Sequence, residues 1–90
     1  MIALDARPEV ASLFRLQFEP VQDVWVLLYP EGMVKLNTPA AEILRRCDGQ
    51  RSVEAIVGEL EIAFSRTGLA DDVRGFLDQA RGRGWLRDEA

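Results

Sequence analysis

The chain has 90 residues, of which 48% are hydrophobic and 29% are charged, and its formal net charge is −4. A chain of this length forms one domain, residues 1–90, and its acidic balance argues against nucleic acid as the main partner, because phosphate binding needs a positive surface. One cysteine and no histidine exclude an internal disulfide and argue against a metal centre, so no cofactor is expected.

The first ten residues, MIALDARPEV, lack the basic start and long apolar core of a signal peptide. Because Pro8 restricts the backbone before it, we expect residues 1–10 to form a loosely ordered arm. The longest apolar run, residues 24–29, is too short to span a bilayer. These features predict a cytoplasmic protein with no membrane partner.

Three strands are predicted next. Residues 13–19, LFRLQFE, alternate between apolar and polar side chains, as a half-buried strand does. Residues 24–29, VWVLLY, are apolar on both faces, which is typical of a central strand or of a strand in a subunit contact. Pro30 and Gly32 favour a turn, and residues 33–36, MVKL, resume as a third strand. The predicted sheet is an antiparallel meander with the first and third strands at its edges.

From residue 38 the apolar period changes from 2 to about 3.6, which predicts helices. Thr38 is a suitable N-cap before Pro39, and the first helix is expected to end by Gly49. Ser52 is expected to cap a second helix, and a third should start at Asp71 or Asp72 and end near Gly82. The buried stripes are predicted at Ile43, Leu44 and Cys47, then Val53, Ile56, Val57, Leu60 and Phe64, then Val73, Phe76, Leu77 and Ala80.

Strands followed by helices predict an α+β fold, here a three-stranded antiparallel sheet followed by a three-helix bundle of winged helix-turn-helix type. No nucleophile and base pair or metal-ligand set can be assembled from these residues, so we do not expect an enzyme. Cys47 lies on an apolar stripe and is expected to be a small buried side chain. Trp85 and Leu86 are expected to fold back onto the core.

Two surfaces leave other functions open. The basic residues Arg74, Arg81, Arg83 and Arg87 are predicted to be a solvated face, but a winged-helix nucleic-acid binder could use the first three in recognition. The apolar strand at residues 24–29 leaves open a structural dimerisation module, with a second copy as partner. The short third strand, at residues 33–36, has one lysine to guard it and could accept a peptide as a further strand.

The segments LYPEGMVKLNTPAAEILRRCDGQRSVEAIVGEL and DDVRGFLDQARGRGWL resemble the PqqD family of pyrroloquinoline quinone (PQQ) synthesis proteins, over residues 8–87. The resemblance implies a non-catalytic peptide chaperone, a recognition element for ribosomally made peptides. Such a domain binds the precursor peptide PqqA and presents it to PqqE, a radical S-adenosylmethionine enzyme. The family resemblance also implies that the peptide adds beside the third strand, facing the third helix. The implied peptide-binding residues are Met33, Val34, Lys35, Leu36, Val73, Arg74, Phe76, Leu77, Ala80 and Arg81.

Overall fold

The computed structural model describes residues 1–87, and these form an α+β fold as the sequence predicts. A three-stranded antiparallel sheet precedes three helices, and two short strands, which the sequence pattern did not predict, form a second sheet. The elements in chain order are β1 Glu9–Val10, β2 Arg15–Glu19, β3 Val24–Tyr29, β4 Gly32–Leu36, α1 Thr38–Arg45, α2 Val53–Ala63, α3 Ala70–Gly82 and β5 Leu86–Arg87.

The main sheet has the order β2–β3–β4, so β3 is central and the other two strands are edges, as predicted. One face packs against the helices, where Leu27 at the centre of β3 is fully buried. Val26 is also buried, although its side chain points to the other face, where it lies between Gln17 and Lys35 in the ladder. The apolar character of β3 on both faces therefore has a local explanation within one copy of the chain.

The helix starts follow from capping chemistry. Asn37, not the predicted Thr38, caps α1, and its side-chain oxygen accepts a hydrogen bond from the N–H of Ala40 at 2.9 Å. Ser52 caps α2 as predicted, through a 3.1 Å bond from the N–H of Ala55. The third helix starts at Ala70 without a side-chain cap. Asn and Thr are both good N-caps, so the sequence alone could not choose between neighbours.

The first ten residues differ from the prediction of a loosely ordered arm, because they pack on the helices. Ile2 and Pro8 are buried. The carbonyls of Leu4 and Ala6 accept hydrogen bonds from the N–H groups of Glu54 and Val53 at 2.9 and 2.8 Å. The first N–H groups of a helix have no partner within it. The arm supplies those partners for α2, which is why it is held in place.

The second sheet joins the two ends of the described chain. Val10 pairs with Leu86 in β5, and Glu9 pairs with Arg87. Trp85 and Leu86 are buried in the core, which confirms that this segment folds back. The pairing fixes the arm against the residues that follow α3.

An ion-pair network connects the end of α1 with α2. Arg46 contacts Glu42 at 2.9 Å and Glu59 at 3.3 Å, while Arg51 contacts Glu59 at 2.9 Å and Asp48 at 3.1 Å. The Arg46 hydrogen bond is the main cause that lowers the pKa of Glu42. The backbone N–H groups of the residues after Asp48 lower the pKa of that carboxyl. Both carboxylates therefore stabilise the fold in their charged forms.

Candidate functional site

The outer edge of β4 presents unpaired backbone groups. Tyr29 and Gly32 close the two-residue hairpin, so their N–H and C=O groups pair with each other. Pairing then alternates along the ladder, and the backbone groups of Val34 and Leu36 also face β3. The N–H and C=O groups of Met33 and Lys35 point away from the sheet. Two residues with one donor and one acceptor each offer up to four hydrogen bonds to an added strand.

The side chains of β4 divide between the two faces of the sheet. Val34 and Leu36 pack with the helical core, whereas Met33 and Lys35 are exposed on the opposite face. A strand added to this edge would alternate in the same way, with every second side chain directed toward the helices. The helical side of the edge is therefore where side-chain selection would occur.

An open cleft of about 670 Å³ lies beside the end of β4, between the start of α1, the end of α2 and the first half of α3. Asn37 joins the edge to the cleft, because it follows Leu36 directly and also lines the cleft wall. The apolar lining is formed by Ile43, Leu60, Phe64, Leu69, Val73 and Phe76.

Polar side chains stand among these apolar residues in the lining. Arg66, Asp72 and Gln79 line the same cleft, and all three are exposed. The combination of an apolar lining with a few polar groups suits an amphipathic or apolar segment. The cleft holds the charge of both an arginine and an aspartate, so its chemistry does not select for one sign.

The structure places the predicted α3 residues in three different settings. Val73 and Phe76 line the cleft, and Phe76 is half-buried. Leu77 and Ala80 are buried in the core and have no surface to offer a ligand.

Arg74 and Arg81 lie away from the cleft, on the flank of α3 that carries Asp78. The Nε of Arg74 donates to the carbonyl of Ile2 at 2.9 Å. Arg81 contacts Asp78 at 3.2 Å. Because Asp78 also accepts a hydrogen bond from the N–H of Ile2, this flank of α3 holds the arm. Arg74 and Arg81 are therefore not brought together with β4, although the sequence grouped them in one site.

Phe64 is the main cleft residue that sequence reasoning assigned elsewhere. The helical period placed it on the buried face of α2, but 41% of its surface is exposed and it lines the cleft. The helix ends at Ala63, so the 3.6-residue period no longer fixes the direction of the next side chain. An aromatic residue just before the Arg66-Thr67-Gly68 break was the available signal.

The basic residues after position 80 make contacts within the chain. Arg87 pairs with Glu9 at 3.1 Å, and the guanidinium of Arg83 lies 5.4 Å from the centre of the Trp85 ring. Together with the contacts of Arg74 and Arg81, these interactions spread the cations over separate local partners. The arrangement does not form the continuous positive surface that a phosphate backbone requires.

Cys47 has the environment of a packing residue. It is buried, its thiol donates to the carbonyl of Ile43 at 3.3 Å, and burial raises its pKa to about 12. Within residues 1–87, no three side chains of the metal-binding types stand close enough to hold an ion. None of the described helices is both long and apolar enough to cross a membrane.

Comparison with known proteins gives consistent matches. The family model for coenzyme PQQ synthesis protein D (PqqD) matches residues 24–86. A curated relative named PqqA binding protein, from Methylococcus capsulatus, is 44% identical, and the match covers 93% of this chain and 90% of the relative. A relative of the same name from Pseudomonas aeruginosa is 49% identical, and the match covers 93% of this chain and 92% of the relative.

Two solved structures are similar as well. One is the solution NMR structure of the PqqD truncation of Methylobacterium extorquens PqqCD, described as a functional, stand-alone recognition element for ribosomally synthesized, post-translationally modified peptides. It has a TM-score of 0.74 at 26% identity and covers 89% of this chain and 87% of the other. The crystal structure of PqqD from Xanthomonas campestris has a TM-score of 0.58 at 30% identity, with coverage of 97% and 99%.

Proposed function

This chain belongs to the PqqD family of coenzyme PQQ synthesis proteins, and from that premise we propose that it binds the precursor peptide PqqA and catalyses no reaction itself. The relatives named PqqA binding protein support the ligand. The NMR structure described as a peptide recognition element supports the role.

The observation that carries the proposal is the position of the unpaired β4 backbone beside an apolar cleft. The peptide adds as a fourth strand next to β4 and exchanges hydrogen bonds with Met33 and Lys35. Its side chains on the helical side reach the cleft, where Phe76 and Phe64 are the largest apolar contacts. Val34 and Leu36 form the floor between the strand and the helices.

The binding free energy indicates that the β4 edge and the cleft contribute to peptide binding in different ways. Four ladder hydrogen bonds contribute roughly 2–6 kcal/mol net, and ordering a disordered peptide costs about 2–5 kcal/mol. These two terms nearly cancel. Since micromolar binding requires about −8 kcal/mol, most of the affinity must come from apolar side chains in the cleft. The edge then sets the direction and register of the peptide.

Proline at Lys35 tests the strand addition. Lys35→Pro removes an outward N–H without removing a bond to β3, so PqqA affinity should fall about tenfold or more. Titration of labelled PqqA, followed by fluorescence anisotropy, measures this change. Lys35→Ala is the matched control, because it removes the same side chain and keeps the N–H.

Equal affinity of the Lys35→Pro and Lys35→Ala variants would contradict strand addition at β4. Chemical denaturation of both variants shows whether the fold is retained. Amide shift changes on adding PqqA to the wild-type chain give an independent location of the ligand, expected at Met33, Lys35 and Phe76.

Presentation of the bound peptide to PqqE is the second step of the proposal, and it follows from the family resemblance. With β4 and the cleft occupied by PqqA, the enzyme must contact other surfaces. Size-exclusion chromatography of the three components should yield a ternary complex. A chain that releases PqqA whenever PqqE is added would contradict presentation.

A further inference from the structure

The second edge of the main sheet, formed by β2, also presents unpaired backbone groups. In β3 the backbone groups of Val24, Val26 and Leu28 face β2, where their partners are Glu19, Gln17 and Arg15. The backbone groups of the two residues between, Leu16 and Phe18, therefore point outward. In the described part of the chain no strand covers this edge, because the sheet order ends at β2.

Exposed apolar side chains lie on both sides of this edge strand in the sequence. Leu13 lies just before β2 with 71% of its surface exposed, and Val21 lies just after it with 90% exposed. Exposed edges are usually protected by proline, lysine or inward-pointing charge. Neither proline nor lysine occurs within β2.

The charges along β2 are self-complementary. When two β2 strands pair antiparallel about a two-fold axis through Gln17, Arg15 of one copy lies opposite Glu19 of the other. The same register pairs Leu16 with Phe18 of the second copy, and these are the residues whose backbone groups face outward. The backbone alternation and the charge pattern therefore agree on one register.

Two further details fit this axis. The residue on a two-fold axis lies opposite the same residue of the other copy, so a charged residue there would face a like charge. Gln17 is neutral and causes no such repulsion. The register also places Leu13 of one copy and Val21 of the other at the same end of the ladder. The side chain of Arg15 has no hydrogen bond or ion pair within residues 1–87, so its guanidinium is available to Glu19 of a second copy.

We propose that a second copy of this chain docks at the β2 edge and forms a continuous six-stranded sheet across the two-fold axis. The strand order β4–β3–β2–β2–β3–β4 leaves both β4 edges at the outer ends, so the proposal does not depend on peptide binding there. One strand from each copy forms a small contact, well below the roughly 1,000 Å² of stable complexes. The dimer is therefore weak and forms at high micromolar to millimolar concentration.

Charge exchange tests both the surface and its register. Arg15→Glu and Glu19→Arg should each weaken self-association about tenfold, because two attractions become two repulsions. Mixing the two variants should restore association, since every position across the axis again carries opposite charges. Sedimentation velocity over a concentration series measures the change, and circular dichroism shows whether Glu19→Arg, which loses a hydrogen bond from Val21, still folds.

Substitution at the axis gives an independent test. Gln17→Glu places two like charges together and should weaken association several-fold, whereas Gln50→Glu makes the same chemical change on the loop before α2 and should have no effect. A wild-type chain that stays monomeric at millimolar concentration would overturn the proposal. So would association that is equally strong in Gln17→Glu, or a mixture of the charge variants that stays monomeric.

Discussion

The two edges of the main sheet have equal backbone chemistry and different surroundings. Each presents two residues with outward N–H and C=O groups, Met33 and Lys35 on β4, and Leu16 and Phe18 on β2. The end of β4 adjoins an apolar cleft through Asn37, whereas β2 has exposed apolar residues just before and just after it and carries the opposite charges of Arg15 and Glu19.

This difference shows that unpaired backbone groups alone do not determine which strand binds at an edge. A cleft beside an edge favours a foreign segment with apolar side chains, because only such a segment gains from the cleft. A strand with balanced charges about a neutral centre favours its own copy. The side chains around an edge therefore carry the selectivity that the ladder hydrogen bonds cannot supply.

The largest effect should come from the residue that supports both edges. Leu27 is fully buried at the centre of β3 and pairs with Leu16 on one side and Val34 on the other. Leu27→Ala should lower the free energy of unfolding by about 2–5 kcal/mol, through lost burial and the cavity left behind. Urea denaturation followed by circular dichroism measures this change.

The matched control for that substitution is Ile62→Ala on α2. Ile62 is 82% exposed, so its truncation should change the free energy of unfolding by less than about 0.5 kcal/mol. If the two variants lost equal stability, the assignment of Leu27 to the common core would be wrong.

A substitution in the cleft should separate the two edges. Phe76→Ala should weaken PqqA binding by roughly 5–30-fold, because a half-buried aromatic anchor contributes about 1–2 kcal/mol. Self-association at β2 should be unchanged. Isothermal titration calorimetry and sedimentation velocity on the same protein measure both quantities.

Leu13→Ala is the reciprocal variant, since Leu13 lies just before β2 and is exposed. It should lower self-association and leave PqqA affinity unchanged. Should either variant alter both equilibria by the same factor, the two edges would not be independent surfaces.

The smallest effect is expected on the ion-pair network between the end of α1 and α2. The folded-state pKa values of Glu42 and Asp48 are below their usual values of 4.5 and 3.8. The unfolded chain therefore binds more protons in this range, and the stabilisation is complete above the usual values and lost as the pH falls through the lowered ones. The urea midpoint should decline on acidification from about pH 5.

Glu42→Gln should make the urea midpoint depend less on pH in the acidic range. It should also lower the free energy of unfolding at neutral pH by about 0.2–1 kcal/mol, as expected of a partly exposed ion pair. Glu54→Gln is a suitable control, because Glu54 is exposed in the first turn of α2 and has no ion pair within residues 1–87. An unchanged pH profile in Glu42→Gln would remove this carboxylate as a source of acid sensitivity.

The strands and helices were predictable because their signals are local. The alternation in residues 14–19, the capping serine before α2 and the apolar stripe of α1 each act over a few residues. The arm was not predictable in this way. Its carbonyls bond to N–H groups about 50 residues away in sequence, at Val53 and Glu54, and no short pattern records such a pairing.

The candidate site was predictable only in part for the same reason. The β4 segment, Met33 to Leu36, could be located from the turn before it and the helix after it. Which face of α3 meets the cleft depends on how three helices pack, so Phe76 and Leu77 could not be separated from period alone. The structure separates them, since Leu77 is buried and Phe76 lines the cleft.

The burial of Cys47 has a practical consequence for labelling. Its thiol is inaccessible and stays protonated well above neutral pH, so alkylating dyes will not react with the folded wild-type chain. A single cysteine introduced at an exposed position, such as Gln22, would then be the one reactive site, without removal of the native thiol. With cysteines introduced at two exposed positions, the distance between two labels can be measured on a chain whose interior packing is untouched.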